Sequence, residues 1–186
     1  SLTVASADSA HAEGSQSLAS GFASHAEGTM ASATRSEQHA HASGWFAVEG
    51  DAQTSVLVLR GTTPGAAPNE SIELLFGDAL DQMLELEDGK AYTVVVTAVA
   101  GGVQAGPLRF SAGLELRLVA QRDAGLTTIE ALGPSTSYGS LDAATWTLVA
   151  TVGVAPDRIT LTFDTGAGTD SACAIVAKVE ITEAGF

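Results

Sequence analysis

Ser24-His25-Ala26-Glu27-Gly28 decides how the first quarter of this chain folds, because Ala10-His11-Ala12-Glu13-Gly14 matches it fourteen residues earlier. His39 falls another fourteen residues on, and alanine recurs every seven residues at Ala5, Ala12, Ala19, Ala26, Ala33, Ala40 and Ala47. A fixed period marks a stacked architecture in which each unit covers its neighbour's exposed face. A helical heptad would need two large apolar positions per repeat. Here the repeating position is alanine alone, and Gly14, Gly21, Gly28 and Gly44 stand where a helix would be broken. The spacing predicts a short strand around each alanine followed by a glycine-assisted turn. Two such units make a fourteen-residue coil, with His11, His25 and His39 in one phase and Leu18, Ser32 and Phe46 in the other. Alternation along each strand sends His and Glu to the face opposite Ala.

Such a roll is thin. At a few tens of cal/mol per Å² of apolar area, its alanines offset little of the ~1–2 kcal/mol of backbone entropy per residue. Association of three copies around an axis supplies the missing burial, so the expected state is a homotrimer. Residues 1–50 are read as this parallel β-roll and neck, and residues 51–186 as a second domain.

The second domain holds nearly all the Val, Leu and Ile, in alternating runs. Ile159, Leu161 and Phe163 share one face of a strand, as do Tyr92, Val94, Val96 and Ala98. Leu108, Phe110, Ala112, Leu114, Leu116 and Leu118 form a longer face, and Trp146, Leu148, Ala150 and Val152 another. Glu87–Lys90, Ala100–Gly102, Asp123–Gly125, Gly133–Ser135 and Ala155–Asp157 read as turns between them. Short strands with this punctuation predict an antiparallel β-sandwich. The fold class is therefore all-β. Val56-Leu57-Val58-Leu59 is apolar on both faces, which suits burial on both sides at an intersubunit interface. Trp45-Phe46 reads as a plug between roll and sandwich.

Charge narrows the partners. Eight Lys and Arg stand against 22 Asp and Glu, a formal net charge of −14. That surface repels nucleic acid and acidic membranes, and no run approaches the ~20 apolar residues of a membrane span. Neither nucleic acid nor membrane insertion is expected. A mean hydropathy of +0.22 fits apolar surface shared between chains. The chain opens at Ser1 inside the repeat and reads as part of something longer. Cys173 lies in the alternating run with Ile175, Ala177, Val179 and Ile181, so it reads as a small core residue.

Three chemistries can be weighed. His11, His25 and His39, one per coil, stack beside Glu13, Glu27 and His41 and form the candidate divalent metal set for Zn or Ni; the competing reading is a hydrogen-bonded ladder that fixes register. Asp78, Asp81, Glu85, Glu87 and Asp88, and the Asp164–Asp170 turn, offer oxygen ligands for calcium without EF-hand spacing. No catalytic residues stand out. There is no Gly-x-Ser-x-Gly, all four histidines lie in the repeat, and nothing selects a carboxylate pair. The expectation is a protein that is not an enzyme and requires no cofactor.

Ser24-His25-Ala26-Glu27-Gly28, with Ala10–Gly14 and Ala19-Ser20-Gly21, resembles the repeats of phage and prophage tail-fibre proteins, which are similar to the head repeats of trimeric autotransporter adhesins. The resemblance covers residues 5–50 and weakens after residue 30, where Arg35 and Ala42 replace the expected glycines. The last coils are therefore expected to be irregular or to begin a neck. Gly50–Thr63, Leu108–Phe110, Gln121–Gly125 and Ala144–Trp146 resemble segments of the β-rich distal domain of such fibres. The resemblance implies a left-handed parallel β-roll in a trimer, the virion tail fibre as location, upstream fibre or tail proteins as partners, and adhesion to a bacterial surface receptor, a glycan by expectation. Within the polar loop read at Gly133–Ser140, Ser135, Thr136, Ser137 and Tyr138 are the candidate receptor contacts, the tyrosine ring stacking on a sugar. The alternatives are a self-cleaving or glycan-cleaving tail appendage and a bacterial adhesin head.

Overall fold

The computed structural model describes residues 2–65, 70–76, 84–104, 109–132, 136–139, 145–153, 158–166 and 171–185. Among them the chain is all-β, with parallel and antiparallel sheets. The repeat contributes six strands: β1 (Val4–Ala5), β2 (His11–Ser15), β3 (Leu18–Ala19), β4 (His25–Thr29), β5 (Ser32–Ala33) and β6 (His39–Ser43). The short strands pair in parallel as β1-β3-β5 and the longer ones as β2-β4-β6, each in fourteen-residue register. Ala19, Ala26, Ala33 and Ala40 are fully enclosed and form a small core of their own. The ladder fails at its ends, since Ala5 and Ala47 are exposed.

The corners of each coil differ from the expected glycine turns. Ser9, Gln16, Ala23, Met30 and Glu37 hold φ between 51° and 62°, one every seven residues. A non-glycine residue in that region costs ~1–2 kcal/mol, so the surrounding coil must hold it there. The glycines serve stacking instead. A Cβ on Gly14 would lie 2.0 Å from the Gly28 carbonyl oxygen, and one on Gly28 2.0 Å from that of Ala42. The third coil is regular, not frayed: all five residues of β6 pair with β4. Ala42 is tolerated because no further parallel coil stacks on β6; its next neighbour is the antiparallel strand β7 (Ala52–Thr63).

That pairing carries the sheet into the second part of the chain. The remaining strands are β8 (Ser71–Glu73), β9 (Leu75–Phe76), β10 (Leu84–Glu85), β11 (Lys90–Gln104), β12 (Arg109–Asp123), β13 (Leu126–Ala131), β14 (Thr136–Gly139), β15 (Thr147–Val152), β16 (Arg158–Asp164) and β17 (Ser171–Gly185). The large sheet runs β13-β12-β11-β17-β7-β6-β4-β2, so coil and head share one continuous set of hydrogen-bonded strands. A smaller antiparallel sheet, β10-β16-β15 with β8 on β16, joins the large sheet in one core. Trp146, Leu148, Ile159, Leu161 and Phe163 come from the small-sheet side, and Leu57, Val94, Leu116, Ile175 and Val179 from the large sheet. Trp146 meets Phe163 edge-on at 5.6 Å between ring centres.

Several local expectations change. Gly101 and Gly102 lie inside β11 rather than in a turn; a Cβ on Gly102 would meet the Cys173 sulfur at 2.8 Å. The glycine makes room for the core. Ala124 and Gly125, at φ 49° and 78°, do form a two-residue hairpin turn between β12 and β13. Within the single chain Leu57 and Leu59 are buried and Val58 is open, so the chain itself encloses one face of Val56–Leu59 and leaves the intersubunit expectation for the other face standing. In the single chain Trp45 and Phe46 are 50% and 71% exposed, so they plug nothing within it, and Phe46 lies outside the coil sheets. Cys173 is buried as expected, and burial pushes its thiol above its ordinary range against a hydrogen bond involving Thr63. The Gly133–Ser135 and Ala155–Asp157 turns, and Leu108, lie outside the described residues.

Candidate functional site

The outer face of the coil is built by alternation. Ala26 and Ala40 point inward, so His25, Glu27, His39 and His41 must point outward, and the parallel register sets His25 against His39 and Glu27 against His41. The rings of His25 and His39 are 4.7 Å apart and nearly parallel, at 17°. His11 lies 4.8 Å from His25 but is tilted by 56°. Glu27 Oε1 is 3.4 Å from His39 Nε2 and 3.2 Å from His41 Nδ1. One rung below, Glu13 Oε1 is 3.7 Å from His25 Nε2, too far for a hydrogen bond. His25 Nε2 is shielded from solvent and has no hydrogen-bond partner among the described residues. Ligand atoms of His25, Glu27 and His39 all lie within 4.8 Å of one another.

Of the three histidines expected to form a metal set, His25 and His39 converge and His11 does not. Glu27 takes the third place. The signal was present in the sequence, since Glu27 stands two residues after His25 and therefore on its face.

A second polar cluster sits where the coil meets the head, and it was not anticipated. Along β7 the inward side chains change from Gln53 and Ser55 to Leu57 and Leu59. Gln53 accepts from the Ser32 N–H at 2.9 Å and donates to the Ser32 carbonyl at 3.0 Å and to Glu183 Oε1 at 3.1 Å. Gln38 Nε2 donates to Ser55 Oγ at 2.9 Å. Arg35, in place of the expected glycine, donates to the Glu85 carbonyl and stands 4.0 Å from Glu183. Asp51 closes the 46–51 turn by accepting from the N–H groups of Phe46, Ala47 and Val48. Burial alone would raise its carboxyl, but those three N–H groups and the nearby Lys90 ammonium hold it below the usual carboxylate range.

The candidate receptor contacts are placed differently from expectation. Thr136, Ser137 and Tyr138 belong to strand β14 rather than a loop, opposite Glu115, Leu114 and Gly113 of β12. Ser135 lies outside the described residues. Of the calcium candidates, Glu85 pairs with Arg158 at 3.1 Å, Glu87 with Lys90 at 2.9 Å and Asp88 with Arg122 at 3.8 Å. Basic partners already occupy these acids. Asp164 accepts from the Gly166 N–H at 2.7 Å, while Asp78, Asp81 and Asp170 lie outside the described residues.

No family model matches the sequence, and no curated protein matches it. Among solved structures the chain is similar to tailspike proteins of Acinetobacter phages. That of phage vB_ApiP_P1 aligns over 69% of this chain and 21% of its own, at 13% identity and a TM-score of 0.35. That of the Acinetobacter baumannii bacteriophage Fri1, described as a capsular polysaccharide depolymerase, aligns over 73% and 18%, at 12% identity and 0.33. That of phage AM24 aligns over 72% and 26%, at 10% identity and 0.37. This chain thus spans between 18% and 26% of the length of those tailspikes.

Proposed function

We propose that this chain is the distal part of a phage tail fibre, a homotrimer that binds a bacterial surface receptor, a glycan, without cleaving it. In this reading residues 1–50 form the end of a parallel β-roll stalk and neck. Residues 51–186 form a β-sandwich that meets the host cell from the virion tail, beyond upstream fibre or tail proteins.

The observation that carries the reading is the open face of the large sheet. Val99, Val176 and Val58 are 67%, 54% and 48% exposed on neighbouring strands, with Val99 directly opposite Val176. Residues of this kind on the side of a sheet away from its core are what sister copies would cover. Lys178 and Glu180, 3.0 Å apart on the same face, supply matched charge beside them. Three copies held together multiply individually weak sugar contacts through effective concentration. The unbroken run of strands from β2 to β13 would keep head and stalk in fixed orientation.

Whole cells of candidate hosts, with and without periodate oxidation of surface sugars, test the receptor class by pull-down. Binding lost on oxidation supports a glycan, and binding that survives counts against it. Incubation with host polysaccharide separates adhesion from the glycan-cleaving or self-cleaving alternative. Shortened polysaccharide or a processed chain would replace the adhesive reading with an enzymatic one.

A further inference from the structure

We propose that His25, Glu27 and His39 form a binding site for one borderline divalent metal ion, Zn²⁺ or Ni²⁺, on the outer face of the coil. The site lies within one chain and does not depend on trimerisation or on the receptor.

Donor geometry supports it first. Zinc bonds of 2.0–2.2 Å in a tetrahedron place neighbouring donor atoms about 3.3–3.6 Å apart. The Glu27 Oε1 to His39 Nε2 separation of 3.4 Å has that value. His25 supplies the third donor within 4.8 Å of the other two, and turning its ring out of the stack with His39 would close the remaining gap. Its Nε2 is shielded and has no hydrogen-bond partner among the described residues, a group that a metal would satisfy.

The scaffold supports it next. The ligands alternate with Ala26 and Ala40, which are locked in the coil interior, and β4 and β6 are paired along their whole length. His25 and His39 stack face to face because the strands repeat in register, so their in-plane lone pairs run side by side and one ring must turn for both to reach a single ion. His41 Nδ1, 3.2 Å from the same Glu27 oxygen, orients that carboxylate as an outer partner. Two imidazoles and one carboxylate suit zinc or nickel better than the all-oxygen preference of calcium or magnesium.

The rung below lacks this convergence. Among the described residues His11 joins no such group of three donors, and Glu13 reaches only to 3.7 Å of His25. One ion per chain follows, not one per coil.

Calorimetric titration of metal-stripped, tag-free protein with zinc chloride tests the site. The expected result is one zinc per chain, with affinity lowered at least ~10-fold in Glu27→Gln and in His39→Ala, and retained in His11→Ala. Glu27→Gln alters only a carboxylate on the outer face, so it reports on the site even if the His39 variant folds poorly. A calcium titration should give no saturable heat. Absence of zinc uptake, uptake indifferent to Glu27→Gln, or two ions per chain with one lost in His11→Ala would each overturn the assignment.

Discussion

Lys90 Nζ lies 3.4 Å from Glu183 Oε2, and both side chains are buried where the coil meets the head. The same ammonium donates to the Gly50 carbonyl at 3.0 Å, while Glu183 Oε1 accepts from Gln53 at 3.1 Å. One carboxylate thus ties β17 to β11 and β7, and through Gln53 and Ser32 to the coil. Removing one partner of a buried pair leaves the other charge uncompensated, at a cost of about 3–5 kcal/mol. Lys90 keeps the more exposed Glu87 at 2.9 Å, which places Glu183→Ala near the lower end. Chemical unfolding should show a loss of about 3 kcal/mol. A variant within ~0.5 kcal/mol of the parent would mean that other contacts hold the junction.

Asp51 makes the junction acid-sensitive. Its carboxyl is held below the usual range in the fold, so it adds stability above its unfolded value of about 3.9 and loses it as pH falls through the folded value. Asp51→Asn puts an amide where two acceptor oxygens now serve three N–H groups, leaving at least one donor unmatched. The variant should be about 1–3 kcal/mol less stable at pH 7. Below pH ~4 its stability should fall less steeply than that of the parent. Equal acid slopes in the two proteins would remove Asp51 from this role.

Gly28 and Gly44 form a matched pair of controls. A Cβ on Gly28 would lie 2.0 Å from a backbone oxygen, at φ 103°, whereas one on Gly44 meets no heavy atom of the described residues within 4 Å. Gly28→Ala should lower the melting temperature sharply, by several kcal/mol of strain. Gly44→Ala should be neutral or stabilise by about 0.4–1 kcal/mol. Equal melting temperatures for the two variants would argue against stacked coils.

The legible parts of the fold are those written in alternation. Ile159, Leu161 and Phe163 announce a strand with one buried face, and the alanines at 19, 26, 33 and 40 announce a narrow interior. The corners were hidden because Ser9, Gln16, Ala23, Met30 and Glu37 share no side-chain chemistry that favours positive φ; only their spacing marks them. Arg35 and Ala42 read as decay of the repeat, yet they mark its last coil, where no parallel coil follows and a long side chain can reach the head. At the site, phase along the strand placed the histidines on one face but could not give the distances between donor atoms, which leave His11 out and bring Glu27 in. The junction network was invisible because Gln53 and Glu183 meet across 130 residues.

Threefold association is read most directly from mass in solution. Sedimentation at sub-micromolar concentration should give a species of three 18.8 kDa chains. Val99→Lys combined with Val176→Lys, on the open face, should shift it towards single chains. A compact, cooperatively melting parent of one 18.8 kDa chain would contradict the trimeric fibre.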